Sequence, residues 1–399
     1  MEKVANALYI QSGGPTAVIN TSAYGVIDEC RRHPEINRIY ASEHGVVGLI
    51  ERRLFDITDE MAGEKLLPST PSMIFGSCRY EIDEDDPLQT DYRKILKNLK
   101  SLDIRYIFIN GGNGSVRAGL RLGRFLESQA YDFRLMVVPK TVDNDISCID
   151  HAPGFPSAAR HVAVTVSELA RDMMTYDTEL IMFTEVMGRN TGFLAAASMA
   201  AKRIDLGPDL IYVPEVVFDQ KKFIGDIRRV LEKKGKCFAV VAEGVKTADG
   251  RFLFEDISVN RGMDMQKNMG GITPCLNQLL RHNFECKIRG IDLGLMQRCG
   301  AHDASDIDRE EAEELGRRAV RAAVAGESLK MVTLRRVPGP QYQAEYDLAA
   351  LEEVAKEDNC LPMSYVNEEK DYIREGFYDY IMPLIGELPR YTVLNKRYI

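Results

Sequence analysis

Short, nearly all-apolar runs alternate with longer amphipathic segments through most of the chain. Runs such as Tyr106-Ile-Phe-Ile-Asn110 and Leu135-Met-Val-Val138 leave almost no polar position, as parallel strands covered on both faces do. The pattern predicts strands over 5–11, 38–42, 106–110, 134–139, 180–186, 210–213, 237–242 and 330–335. The amphipathic stretches predict helices over 16–32, 91–102, 115–129, 154–175, 191–201, 219–234, 262–282 and 308–325. This alternation is that of repeated βαβ units, so the expected fold class is α/β with doubly wound, mostly parallel sheets. Residues 45–80 read as irregular and 81–86 as a solvated acidic loop, and the stretch from about 338 reads as an appendage.

Ligands of open α/β sheets bind just beyond the carboxyl ends of strands, and the unusual residues of this chain fall there. Gly13-Gly14, Gly111-Gly-Asn-Gly-Ser115, Lys140-Thr-Val-Asp-Asn-Asp145, Gly188-Arg-Asn190 and Glu243-Gly244 each follow an expected strand. Packing alone does not call for such clusters at five equivalent places.

The run 111–115 opens a helix. Glycines let backbone N–H groups approach a phosphate there, and a helix N-terminus favours an anion. The run is no Walker A loop, and Arg117 stands where a dinucleotide fingerprint needs its third glycine. A plain tight turn is the alternative. In residues 140–145, positions two apart share a face if the segment is extended. One of Asp143 and Asp145 can then take a proton while the other holds Mg²⁺. Lys140 and Thr141 offer charge and a donor to a transferring phosphoryl group. A solvated acidic turn is the alternative there. Arg189 after Gly188, and Arg79 near Gly76, offer forked donors for phosphate. Arg289 and Arg298 flank residues 290–297. Arg189 reads equally well as a surface residue at a helix start, and each of the other arginines taken singly reads as solvated rather than functional.

Composition narrows the classes. The chain has 399 residues, 45% hydrophobic and 28% charged, which excludes disorder and predicts two or three domains. A net charge of −9 argues against a nucleic-acid partner. The eight cysteines form no C-x-x-C pair, and the six histidines form no zinc pair. Scattered thiols predict a reducing cytosol. The N-terminal segment has no signal-peptide pattern, and no apolar run reaches the ~18 residues of a membrane span.

In order along the chain, Gln11-Ser-Gly-Gly-Pro-Thr-Ala-Val-Ile-Asn20, Gly76-Ser-Cys-Arg79, Gly111–Ser115, Pro139-Lys-Thr-Val-Asp-Asn-Asp145, Glu185-Val-Met-Gly-Arg189 and Gln297-Arg298 resemble the 6-phosphofructokinase family. The resemblance runs from residue 5 to about 335. Together with Asp150-His-Ala-Pro-Gly-Phe-Pro-Ser157, it is strongest to the bacterial pyrophosphate-using branch. It implies two lobes of the phosphofructokinase type. Residues 1–150 with about 305–340 would bind the phosphoryl donor, 151–304 the sugar phosphate, and 341–399 would be a C-terminal appendage.

The resemblance also implies a cytoplasmic, Mg²⁺-dependent enzyme that is a homodimer or homotetramer. It would phosphorylate the 1-hydroxyl of fructose 6-phosphate, using ATP or pyrophosphate. By the same resemblance, Asp143 takes the hydroxyl proton, Thr141 and Lys140 contact the moving phosphoryl group, and Arg79 bridges donor and acceptor phosphates. Met187, Gly188, Arg189 and Glu243 contact the sugar phosphate, and Arg289 and Arg298 grip its 6-phosphate. Gly13, Gly14, Gly112, Gly114 and Ser115 line the donor site, while Asp145 and Asn113 attend the metal.

Four positions depart from the family pattern. Asn113 stands where ATP-using members carry Asp. Gly114 stands where pyrophosphate users usually carry Asp, and it leaves room for a nucleotide, whereas Lys140 is compatible with either donor. The two donors are therefore close to balanced, with sterics tipping toward ATP. Leu180 and Leu295 replace an Arg and a His that commonly serve the sugar phosphate. With Asn113, they motivate the alternative of a weakly active or regulatory sugar-phosphate-binding paralogue. Lipid and NAD kinases share a similar glycine turn but lack the other clusters in this order.

Overall fold

The computed structural model describes residues 4–59, 61, 63–253, 255, 271–339 and 341–392. In chain order its strands are β1 (Ala5–Gln11), β2 (Ile36–Ser42), β3 (Leu54–Asp56), β4 (Ile104–Gly111), β5 (Arg134–Pro139), β6 (Leu180–Val186), β7 (Leu210–Tyr212), β8 (Lys236–Ala242), β9 (Lys287–Asp292), β10 (Lys330–Arg336) and β11 (Ala344–Ala350). Its helices are α1 (Ile19–Cys30), α2 (Val46–Glu51), α3 (Thr90–Ser101), α4 (Asn113–Ser128), α5 (Phe155–Met173), α6 (Phe193–Ala197), α7 (Gln220–Lys234), α8 (Thr273–Asn283), α9 (Met296–Cys299), α10 (Asp306–Val324), α11 (Leu351–Val354) and α12 (Phe377–Ile385). Two compact units divide the chain: residues 1–157 with 298–359, and residues 158–297 with 360–399.

The first unit is built on a seven-stranded sheet in the order β11-β10-β5-β4-β1-β2-β3. The pairs among β10, β5, β4, β1 and β2 are parallel, and only β2–β3 and β10–β11 are antiparallel. Strand residues alternate between two cores, as a period of two requires. Leu8, Ile10, Ile107, Ile109, Leu135 and Val137 face Tyr92, Ile95, Val116 and Leu126 of α3 and α4. Tyr9, Phe108, Met136 and Val138 face Ala23, Val26, Leu315 and Ala319 of α1 and α10. From β1 the chain proceeds outward to β2 and β3, whereas from β4 it proceeds the other way to β5 and β10. The β1/β4 boundary is therefore a topological switch point, where such sheets leave a crevice at their carboxyl edge.

Helices α1 and α10 approach closely because Gly25 and Gly316 lie at their crossing. A Cβ on Gly25 would collide with the carbonyl oxygen of Glu313, and one on Gly316 with that of Ser22. At α10's start, Ser305 caps the helix. The carboxylate of Asp308 there accepts from the backbone N–H of Gly154 and Ser157 at 2.9 and 3.0 Å, which caps the start of α5.

The second unit carries a fully parallel four-stranded sheet in the order β7-β8-β6-β9. Ile181, Phe183, Ala239 and Val241 face Phe223 and Ile227 of α7 and Leu276 and Leu280 of α8. The architecture is thus α/β with mainly parallel sheets.

Several elements differ from the expectation. Strands β3, β9 and β11 were not expected: β3 is only three residues long, and Lys287-Ile-Arg-Gly-Ile-Asp292 sits at a sheet edge with no fully buried position. The irregular stretch at 45–80 contains α2 and β3. The helix expected over 191–201 is the short α6 followed by a 3₁₀ segment, Ser198–Ile204. Residues 262–270 of the helix expected over 262–282 lie outside the described residues, and α8 covers most of the rest. The expected appendage is shared between the units. Strand β11 extends the first sheet and Leu351 and Val354 enter its core. In the second unit Phe377, Ile381, Leu384 and Ile385 of α12 are buried at helical spacing. Among the described residues, no helix is long and apolar enough to cross a membrane.

Candidate active site

A cavity of about 650 Å³ opens in the first unit at the switch point. Its polar wall comprises Ser12, Gly13, Gly14, Arg79, Gly112, Asn113, Gly114, Ser115, Lys140, Thr141 and Asp145. Three of the glycine-rich or charged clusters expected at strand ends therefore line one space. The lining also includes the apolar Ile10, Val46, Leu49, Ile82, Tyr92, Ile109 and Leu122 and the charged Glu81, Glu84, Arg117 and Arg121.

Local backbone geometry builds the polar wall. Gly13 has φ +80°, in the left-handed region open to glycine. Helix α4 begins one residue after β4, and the carbonyl of Gly112 accepts from the N–H groups of Ser115 and Val116 at 2.8 and 3.1 Å. The remaining N–H groups of that first turn are available to an anion, and the helix dipole favours one. A Cβ at Gly114 would meet nothing within 4 Å, so the space beside it is open.

The loop after β5 is tied at nearly every residue. Thr141 N–H donates to Pro153 O at 3.1 Å, and Asp143 N–H to Thr141 Oγ1 at 3.1 Å. Asn144 adopts φ +62°, and its Oδ1 accepts from Ala152 N–H at 3.0 Å. The carbonyl of Asp145 accepts from Asn113 Nδ2 at 2.8 Å. Asp143 lies between two cavity-lining residues, Thr141 and Asp145.

Lys140 is 4% exposed, and its Nζ donates to Gly14 O at 2.6 Å. Burial pushes its pKa down to about 8; Asp145 and Asp143 oppose the shift and Arg298 adds to it. Arg298 belongs to this unit and lies beside Gly14: a Cβ there would be 3.3 Å from a guanidinium nitrogen. Arg79 is presented by the loop that leaves a buried amide network. Gln11 Nε2 donates to Asn20 Oδ1 at 2.9 Å, and Asn20 Nδ2 donates to Thr70 O and Ser72 O, both at 2.9 Å. Ser77 Oγ then pins the loop to Gly13 O at 2.8 Å.

In the second unit, the segments after β6 and β8 are adjacent. Glu243 N–H donates to Val186 O at 2.8 Å, and Gly244 N–H to Gly188 O at 3.2 Å. Gly188 has φ +124°. Gln297, almost fully buried, accepts from Met187 N–H at 2.9 Å. Met187, Gly188, Arg189 and Glu243 are therefore brought together. Burial pushes the pKa of Glu243 up, with Glu185 and Asp292 adding to it and Arg189 opposing.

Arg289 is not part of that cluster. It pairs with Met182, four residues before the end of β6, so its Cα lies roughly 13 Å down the strand. It ion-pairs with Asp172 at 2.8 Å and stands over the Tyr176 ring at 5.0 Å. In the first unit, Arg298 neighbours Gly14 and Lys140. Leu180 is buried at the start of β6, and Leu295 is 60% exposed.

A sequence model described as Phosphofructokinase matches residues 6–323. The chain belongs to the phosphofructokinase family. Pyrophosphate–fructose 6-phosphate 1-phosphotransferase from Halomonas elongata is 34% identical over 386 residues, 95% of this chain and 91% of its own. Sulfofructose kinase from Alkalicoccus urumqiensis is 34% identical over 366 residues, 91% of this chain and 92% of its own. The crystal structure of a pyrophosphate-dependent phosphofructokinase from Nitrosospira multiformis superposes with a TM-score of 0.86 at 34% identity, covering 98% of this chain and 94% of that one.

Phosphofructokinases are phosphotransferases, and the residues present suit the Mg²⁺ such transfer commonly uses. Asp145 Oδ1 is buried without a hydrogen-bond partner, although Asp145 lines the cavity. One carboxylate plus donor phosphate oxygens is an ordinary Mg²⁺ environment. Asn113 spends its Nδ2 on the Asp145 carbonyl, so what it shows is an orienting contact. Ser12 and the apolar lining of the cavity were not anticipated, because apolar residues of strands and helices carry no mark of lining a space. Nor were Asn20 and Gln11, whose partners lie some 50–64 residues away.

Proposed function

We propose that the chain transfers a phosphoryl group to the 1-hydroxyl of fructose 6-phosphate in a Mg²⁺-dependent reaction, with ATP as the donor. The observation that carries this reading is the single cavity that gathers the glycine turns, Lys140, Thr141 and Asp145. The donor phosphates lie over the first turn of α4 and against Gly13 and Gly14. Lys140 and Thr141 meet the moving phosphoryl group, whose transfer needs positioned charge more than covalent help. Arg79 bridges the phosphates of donor and acceptor. Asp143 accepts the hydroxyl proton, which increases oxygen nucleophilicity as the new bond forms. Asp145 holds the metal, and Mg²⁺ when bound neutralises donor phosphate charge. Arg189 and Glu243, with Met187 and Gly188, hold the sugar phosphate.

Two features support the nucleotide. The cavity extends beyond the glycine turns to a mixed lining that includes the half-buried Val46 and Ile82, with room for more than a diphosphate, and Gly114 places no side chain in the way. A specific observation favours the second reading, pyrophosphate: the Halomonas relative is named for that donor. A coupled assay of purified protein with Mg²⁺, fructose 6-phosphate and each donor in turn decides. ATP turnover well above pyrophosphate turnover is expected. The reverse ratio overturns the donor assignment, and no turnover with either overturns the acceptor. In that last case, sulfofructose is the next acceptor to assay, since a relative of equal identity is named a sulfofructose kinase.

A further inference from the structure

The segment that leaves α11 runs behind the loop at 140–145. Leu351 and Val354 anchor it in the core, and Ser147 Oγ donates to Val354 O at 3.0 Å. Ile146 and Asp358 form an antiparallel bridge. Asn359 then grips two consecutive carbonyls. Its Nδ2 donates to Asn144 O at 3.0 Å and its backbone N–H to Asp145 O at 2.8 Å. Asn113 Nδ2 completes the arrangement on Asp145 O at 2.8 Å.

We infer that Asn359 is a positioning residue that sets the direction of the Asp145 carboxylate through the 144–145 peptide. The inference rests on the reading of Asp145 as the metal-holding carboxylate. Asn144 has a left-handed backbone, so the chain reverses there and small changes in that peptide plane swing the side chain that follows. Asp145 Oδ1 has no hydrogen bond of its own to fix it; its direction is inherited from the backbone. Two donors from Asn359 and one from Asn113 hold that backbone on both sides. Asn359 is outside the cavity lining and beyond the matched family segment, which ends at residue 323. It thus gives the C-terminal segment a part in the donor site. Partners one step removed from a metal commonly change its affinity about 10–100-fold when lost.

The test uses full-length protein, titrated with Mn²⁺ in the presence of methylenediphosphonate and followed by electron paramagnetic resonance. Asn359→Ala is expected to weaken Mn²⁺ binding about tenfold. The Mg²⁺ concentration for half-maximal activity should rise in step, with KM for fructose 6-phosphate unchanged. Asn359→Ser, which keeps a donor, should recover part of the loss. Unchanged Mn²⁺ affinity in Asn359→Ala overturns the inference, whether or not kcat or thermal stability falls, because that pattern is a structural tether alone. Asp145→Asn separates the two claims. If it leaves Mn²⁺ binding intact, Asp145 is not the metal-holding carboxylate and the inference falls with that reading.

Discussion

The ammonium of Lys140 donates to the carbonyl oxygen of Gly14 at 2.6 Å, joining the loops after β5 and β1 through a buried cation. Burial disfavours its charge, and the nearby aspartates restore only part of it, leaving a pKa of about 8. On the proposed reading, a polyanionic donor would add negative charge beside Lys140. It would therefore raise that pKa and draw a proton onto the lysine.

Donor binding should take up a proton, increasingly so as pH rises through about 8, and affinity should weaken over the same range. Calorimetry in two buffers of different ionisation enthalpy measures the uptake. Lys140→Met should abolish it and weaken donor binding; uptake that persists in this variant contradicts the assignment.

Gly114→Asp places a carboxylate in open space, where an added Cβ meets nothing within 4 Å. The fold should tolerate it, with the melting temperature nearly unchanged. ATP turnover should drop by about two orders of magnitude, since like charge and bulk now face the α-phosphate. Intact ATP turnover would show that sterics at residue 114 do not choose the donor.

Asp143→Asn removes the proposed proton acceptor while keeping the side chain's size. A fall in kcat of about 10²–10⁴ is expected for a lost general base, with the acceptor KM little changed. Steady-state kinetics in both substrates would detect a residue that matters only for folding, because stability and not kcat would change.

His151 is buried in the first unit between Asp150 and Glu311, at 2.8 and 2.6 Å. Burial alone would lower its pKa, but the two carboxylates outweigh it and lift it to about 9. A raised pKa gives stability that is complete below the ordinary histidine value near 6.5 and is lost as pH rises through about 9. Thermal melts should therefore fall between pH 7 and 10, and His151→Gln should flatten that slope. An unaltered slope in the variant would place the titration elsewhere.

Gly25→Ala should lower stability by about 1–3 kcal/mol, because the new methyl meets backbone of α10 that cannot move aside. Arg317 and Arg321 of α10 ion-pair with Glu29 of α1, so the helices are also held in register. Denaturant melts measure the loss, and activity per folded molecule should be retained.

Much of the architecture was legible beforehand. All eight expected strands exist, because most are apolar runs with a punctuated end. The clusters that line the cavity were legible too, since glycines, aspartates and a lysine beyond strand ends have few roles in packing. Strands β9 and β11 were not, because edge strands can carry the charged residues of a loop. Arg289 reads from the sequence like any other candidate anion ligand. Only its register against Met182 removes it from the cluster around Glu243.

The order of residues by itself determined which segments become strands and helices and which chemical groups stand at their ends, because periodicity and backbone freedom act over a few neighbours. Tertiary structure alone decided which ends meet. Strand order put β1 beside β4 and opened the cavity, parallel pairing set each side chain's height along the sheet, and a return of more than 200 residues brought Asn359 to Asn144. Those outcomes depend on how whole faces bury one another, a property no local stretch of chain contains.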